Sequence, residues 1–70
     1  MFTTEQAIQH LKRNRKSEFK NTANKNIEIF NCVDGTIGIG EIGDGRVKTF
    51  NPDNHKKDMW ILSINPYKRR

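Results

Sequence analysis

The chain is poor in cysteine and proline, with one of the former and two of the latter in 70 residues. A lone thiol, Cys32, cannot close an intrachain disulfide, which excludes a disulfide-stapled secreted scaffold and makes a reducing cytoplasm the expected location. Metal-ligating residues are as sparse. His10, Cys32 and His55 lie far apart, without the CxxC or HxxxH spacing of a tetrahedral site, so neither a metal nor another cofactor is expected. Long hydrophobic runs are missing too. Apolar residues make up 33% of the chain, and nothing approaches the ~18 consecutive apolar residues of a membrane span. The start, Met1-Phe2-Thr3-Thr4-Glu5, lacks the charged and apolar regions of a secretory signal, so no membrane partner is expected.

Catalytic constellations are also lacking. Ser17 and Ser63 have no base at local spacing, Cys32 alternates within a strand pattern as a small apolar residue would, and the carboxylates are scattered. These absences point to a protein that binds and is not an enzyme. A chain of this size forms one domain, residues 1–70, and exposes too much surface to be comfortably stable alone. With disulfide and metal removed as staples, self-association into a homo-oligomer is the one left.

Charge is abundant and uneven. The formal net charge is +5. Lys12, Arg13, Arg15, Lys16, Lys20 and Lys25 outweigh Glu5 and Glu18 in the first part, residues 26–50 are net acidic, and the end is basic again. Two basic ends suit an anionic partner: a nucleotide, nucleic acid or an acidic host protein.

Local signals predict an α+β domain with one N-terminal helix packed on a three- to four-stranded antiparallel sheet. Thr3-Thr4-Glu5-Gln6 has the form of a capping box, with Phe2 and Ala7 placed for a hydrophobic staple. Ala7, Ile8 and Leu11 form one apolar stripe with His10 at its boundary, giving a helix from about residue 4 to about residue 16. Residues 17–26 are polar and read as loop, with Phe19 as the one apolar anchor. Ile27–Val33 reads as a strand, with Asn31 interrupting an apolar face of Ile27, Ile29 and Val33. Asp34-Gly35 predicts a type I′ hairpin turn. Strands over 36–42 and 46–50 follow around Gly43-Asp44-Gly45. Asn51-Pro52 predicts a capped helical turn over 52–57. Met59–Ile64 reads as a buried fourth strand, and residues 66–70 as a basic tail. One helix covers one face of such a sheet, which leaves Phe30, Phe50 and Trp60 as candidates for a partly covered second face. Trp60, in the most apolar run, is expected in the core rather than as a stacking platform.

Gly38-Ile39-Gly40-Glu41-Ile42-Gly43 matches G-x-G-x-x-G letter for letter. The dinucleotide fingerprint needs a helix after it, and here a turn and another strand follow. The glycines instead read first as plain strand twist and packing, with a bulge or a close approach by another backbone or a ligand as the alternative. The basic stretch Lys12, Arg13, Arg15 and Lys16 suits phosphate contacts.

The layout Thr4-Glu5-Gln6-Ala7-Ile8-Gln9-His10-Leu11-Lys12, then strands with an Asp34-Gly35 turn, then Phe50-Asn51-Pro52 and Asp58-Met59-Trp60, resembles the anti-Thoeris sponges, a family of small phage proteins. The resemblance implies a non-enzymatic homo-oligomer, in a host cell cytoplasm, that sequesters a cyclic ADP-ribose-like or cyclic-nucleotide immune signal and so counters bacterial defence. Where the family shows an Arg and a Trp after the first helix, this chain has Arg15-Lys16-Ser17-Glu18-Phe19, which makes Phe19 the stacking aromatic. The family's closing Asp-Trp pair is split by Met59, so Asp58 and Trp60 become the closing pocket residues. Arg15 and Lys48 supply cations for phosphate.

Overall fold

In the computed structural model, residues 1–63 are described. The expected tail over 66–70, and Ile64 at the end of the expected last strand, lie outside the described residues. The elements run β1 (Phe2–Thr3), α1 (Thr4–Arg13), β2 (Glu18–Asn21), β3 (Ile27–Asn31), β4 (Ile37–Glu41), β5 (Val47–Thr49), a 3₁₀ turn (Pro52–His55) and β6 (Met59–Ser63). The six strands form one sheet in the order β1-β6-β2-β3-β4-β5, antiparallel at every pairing. The class is α+β, as expected. The sheet is larger than the three to four strands expected, because β1 and β2 join it.

The helix begins as its sequence directs. Thr3 Oγ1 accepts from the Gln6 backbone N–H at 3.1 Å, and Gln6 Oε1 accepts from the Thr3 N–H at 3.0 Å. It ends at Arg13, earlier than residue 16, because Asn14 leaves helical geometry at φ −131° and ψ 84°, and the Asn14 side-chain amide caps the His10 carbonyl at 3.2 Å. Ala7 and Leu11 are wholly buried beneath it.

β2 corrects the expected loop over 17–26. Only Phe19 is apolar in Glu-Phe-Lys-Asn, yet the period-two alternation is there: Phe19 and Asn21 are buried, while Glu18 and Lys20 turn to the other face. Its stability comes from neighbours. Phe19 lies opposite Ile29 on one side and Leu62 on the other. The expected type I′ turn at Asp34-Gly35 is also corrected. Type I′ needs positive φ at two residues, but of these only Gly35 has it, at 90°. The Gly35 N–H instead donates to the Cys32 carbonyl at 3.1 Å, and the Cys32 N–H to the Thr36 carbonyl at 2.8 Å. The loop is one residue longer than expected, with glycine in the left-handed position, and Val33 leaves the strand to stand fully exposed at its tip.

Register divides the side chains between faces. Phe19, Ile29, Trp60 and Phe50 pack under α1 and the 3₁₀ turn with Ala7 and Leu11, and this is the core. Phe50 and Trp60 meet edge to face at 5.8 Å. They therefore belong to the covered side, which corrects the expectation that they share an open face with Phe30. No helix among the described residues is long and apolar enough to cross a membrane.

Candidate functional site

Among the described residues the one α-helix packs on one side of this sheet only, and on the other side Glu28 is nonetheless buried, at 6% exposure. Six strands span about 24 Å across, whereas a helix with its side chains is about 10 Å wide. α1 lies against β1, β6 and the 3₁₀ turn. The opposite face carries two rows of residues fixed by register: Ile61, Lys20, Glu28, Gly40 and Val47 in one, and Ser63, Glu18, Phe30, Gly38 and Thr49 in the other.

Phe30 is the aromatic of that face, and the two glycines account for its pose. A Cβ on Gly38 would lie 3.4 Å from Phe30 Cε1, and one on Gly40 would lie 3.7 Å from its Cε2 and Cζ. The ring is thus laid across β4 where side chains are missing. Gly38 is the tighter position: its Cβ would also fall 2.7 Å from Cys32 Sγ and 2.9 Å from Val47 Cγ1. This is the close approach that a glycine-punctuated strand suggests. Beside the ring runs a groove of about 390 Å³ lined by Lys20, Glu28, Phe30, Gly40, Arg46 and Val47 among others. Its volume sits at the lower end of the range for small-molecule sites.

The groove's charges are mixed. Arg46 Nε lies 3.3 Å from Asp44 Oδ1, and hydrogen bonds from the Arg46 backbone and side chain hold the Asp44 carboxyl below its usual range. Lys20 and Glu28 are cross-strand neighbours. Arg46 is largely exposed, so its guanidinium retains donors for a ligand. A second groove, of about 240 Å³, lies on the helix side of the same sheet end, between Ile27, Ile39, Arg46 and Lys48.

The five residues singled out by sequence do not converge. Phe19 and Trp60 are each 0% exposed and offer no ring face to a ligand. Trp60 Nε1 donates to Thr4 Oγ1 at 2.8 Å, and the Thr4 hydroxyl donates onward to the His55 carbonyl. Asp58 belongs to the same polar layer. Its Oδ2 accepts from Asn21 Nδ2 at 2.9 Å and pairs with His55 Nδ1 at 2.7 Å. The His55 hydrogen bond foremost, and the Asn21 amide, hold this carboxyl below the usual range against the opposing effect of burial. Arg15 is exposed beyond the C-terminus of α1, where its Nη2 donates to the Cys32 carbonyl at 3.2 Å. Lys48 is exposed on β5 and lines the helix-side groove. The aromatic that does line a groove is Phe30. Its signal was parity: Phe30, Gly38 and Gly40 fall on one side of their strands, and Ile29, Ile37 and Ile39 on the other.

Each histidine has one side-chain partner by hydrogen bond. His10 Nε2 lies 3.3 Å from Ser17 Oγ, and His55 pairs with Asp58. The first resembles a nucleophile with its base and the second a base with its orienting acid, but the two pairs share no residue. Aromatic rings pack around both imidazoles instead: Phe2 and Phe19 meet His10 edge to face, and Phe50 and Trp60 lie tilted against His55. No group of three or more histidines, cysteines or carboxylates among the described residues is placed to hold a metal ion. Comparison of the chain with protein-family models, curated proteins and solved structures returns no match.

Proposed function

We propose that this protein is a binder, not a catalyst, and that it sequesters a small planar anionic ligand of the nucleotide class in the groove over Phe30. The observation that carries the reading is the ring seated on Gly38 and Gly40 and lining a groove of about 390 Å³. A base stacks on such a ring, and base–aromatic stacking contributes about 1–3 kcal/mol. Arg46 and Lys20 at the groove supply donors for a phosphate. Carboxylates in the same lining, Glu41 among them, suit the amino edge of a base better than a bare phosphate. That mixture favours a ligand with both parts over inorganic phosphate or a simple polyanion.

The likeness to the anti-Thoeris sponges supports the same class of ligand, a cyclic ADP-ribose-like or cyclic-nucleotide immune signal. On this reading Phe30, Arg46 and Lys20 do the work that the likeness places on Phe19, Trp60, Asp58 and Arg15. A second copy of the chain completes the site, since Val47, Ile42 and Ile61 remain substantially exposed around the groove and along the same face.

A thermal-shift screen against cyclic mononucleotides, cyclic dinucleotides and cyclic ADP-ribose isomers tests the proposal. A ligand at 100 times its dissociation constant stabilises the folded state by about 2.7 kcal/mol, which is a rise of about 10 °C or more in a domain this small. The bound ligand is recovered chemically unchanged. No shift with any of these compounds at millimolar concentration overturns the reading, and conversion of the ligand to a product overturns the non-catalytic part of it.

A further inference from the structure

We propose that residues 12–16 form a preorganised cationic turn that binds the phosphate backbone of nucleic acid without regard to base sequence, on the helix side of the sheet and apart from the Phe30 groove.

Lys12-Arg13-Asn14-Arg15-Lys16 places four cations in five residues, and all four are exposed. Among the described residues none of them pairs with a carboxylate; the two ion pairs are Arg46 with Asp44 and His55 with Asp58. A run of this kind on a flexible loop is ordinarily a solvated surface. Here the backbone beneath it is fixed. Asn31, on β3, reaches under the turn. Its Nδ2 donates to the Leu11 carbonyl at 2.9 Å and to the Arg15 carbonyl at 3.3 Å. Asn14 closes the helix onto the His10 carbonyl through both of its amides. The Ser17 N–H donates to the Asn14 carbonyl at 3.0 Å. The Arg15 guanidinium is itself anchored on the Cys32 carbonyl.

Two consequences follow from these bonds. Carbonyls at a helix C-terminus repel phosphate, and here those of His10 and Leu11 are already occupied by amide donors. The segment is also ordered before it binds, so less conformational entropy is lost on association. Arg15 uses one of its five N–H donors on Cys32, leaving the others for a phosphate. An asparagine that interrupts the apolar face of β3 thereby acquires a role: it holds the cations in place at the cost of a hydrophobic position.

Four cations on phosphates give a slope of log affinity against log salt of about −3, at about 0.7–0.9 per contact. Affinity then falls about 60-fold between 50 and 200 mM salt. Fluorescence anisotropy of the full chain with a labelled 20-nucleotide single strand and its duplex, over that range of KCl, reads this directly. The quadruple variant K12Q/R13Q/R15Q/K16Q is expected to lose at least 20-fold in affinity at 50 mM and most of the slope. The control K25Q/K56Q/K57Q removes three cations elsewhere and is expected to stay within about threefold of wild type. N31A keeps every charge and is expected to bind several-fold more weakly with the slope retained, its fold checked by circular dichroism. No binding by wild type at 50 mM, an undiminished quadruple variant, or an equal loss in the control overturns the proposal. Equal affinity for polyglutamate overturns its assignment to nucleic acid, and an N31A protein that binds as wild type overturns the preorganisation.

Discussion

Gly38 and Gly40 sit two residues apart on the same face of β4, yet alanine at the two positions should act in opposite directions. Replacing a strand glycine with alanine removes an entropic penalty of about 0.5–1 kcal/mol wherever the added methyl fits. At Gly40 it fits. The nearest atoms to the new Cβ are at 3.7 Å, ordinary van der Waals contact. Gly40→Ala should therefore stabilise by about 0.5–1 kcal/mol, which raises Tm by about 2–8 °C. At Gly38 it does not fit, because the Cβ would lie 2.7 Å from Cys32 Sγ and 2.9 Å from Val47 Cγ1. Both side chains turn on a single χ1, and overpacking of this kind costs about 1–3 kcal/mol. Against the entropic gain, Gly38→Ala should destabilise by about 0.5–2 kcal/mol. Urea unfolding of both variants beside wild type, with unchanged m-values, reads the difference. In a Cys32→Ala background the Gly38→Ala penalty should shrink, since the closest clash is gone. A Gly38→Ala protein as stable as Gly40→Ala would refute the account of why Phe30, Cys32 and Val47 meet over a glycine.

The buried Trp60 Nε1–Thr4 Oγ1 bond makes Trp60→Phe cost about 1–3 kcal/mol in a thermal melt, and much less in a Thr4→Val background, where the acceptor is absent; equal costs in both would show that only ring volume matters. Asp58 has a folded-state pKa below its usual 3.8, so its contribution to stability is complete well above that pH and is lost as the pH falls through and below it. Acid unfolding of Asp58→Asn should be flatter in that window, and an NMR titration that places the carboxyl at or above 3.8 would contradict the His55 and Asn21 bonds. Phe19→Ala, at a site with 0% exposure, should cost about 3–5 kcal/mol. That is comparable to the whole stability of a small domain, so the variant should be largely unfolded by circular dichroism. Phe30→Ala should remain folded, and equal behaviour of the two would contradict the division into core and groove aromatics.

Features that depend on neighbouring residues were legible in the sequence. The Thr3–Gln6 capping box, the apolar stripe of Ala7 and Leu11, and Asn51 capping a turn that starts at Pro52 all form as their residue types dictate. What the sequence concealed depends on distant partners. β2 carries one apolar residue and is a strand because β3 and β6 flank it. β1 is two residues long and exists only through its pairing with Trp60 and Met59. The insertion of β6 between β1 and β2 pairs Met59 and Trp60 with Thr3 and Phe2, and no local pattern encodes it. The candidate site shifted for the same reason. Once β2 is a strand, Phe19 points into the core, and the residues on the face away from α1 are those of Phe30's parity.

The proposed ligand lies on the ring of Phe30, against the sheet face away from α1. Titrating the ¹⁵N-labelled protein with the tightest compound from the nucleotide screen, and following its amide resonances by NMR, tests this most directly. Shifts concentrated at Lys20, Phe30, Gly38, Gly40 and Arg46 are expected, with contacts between the Phe30 ring protons and the base, and loss of both in Phe30→Ala. Shifts confined to Arg15, Lys48 and Asp58, or a Phe30→Ala protein that binds as wild type, would contradict it.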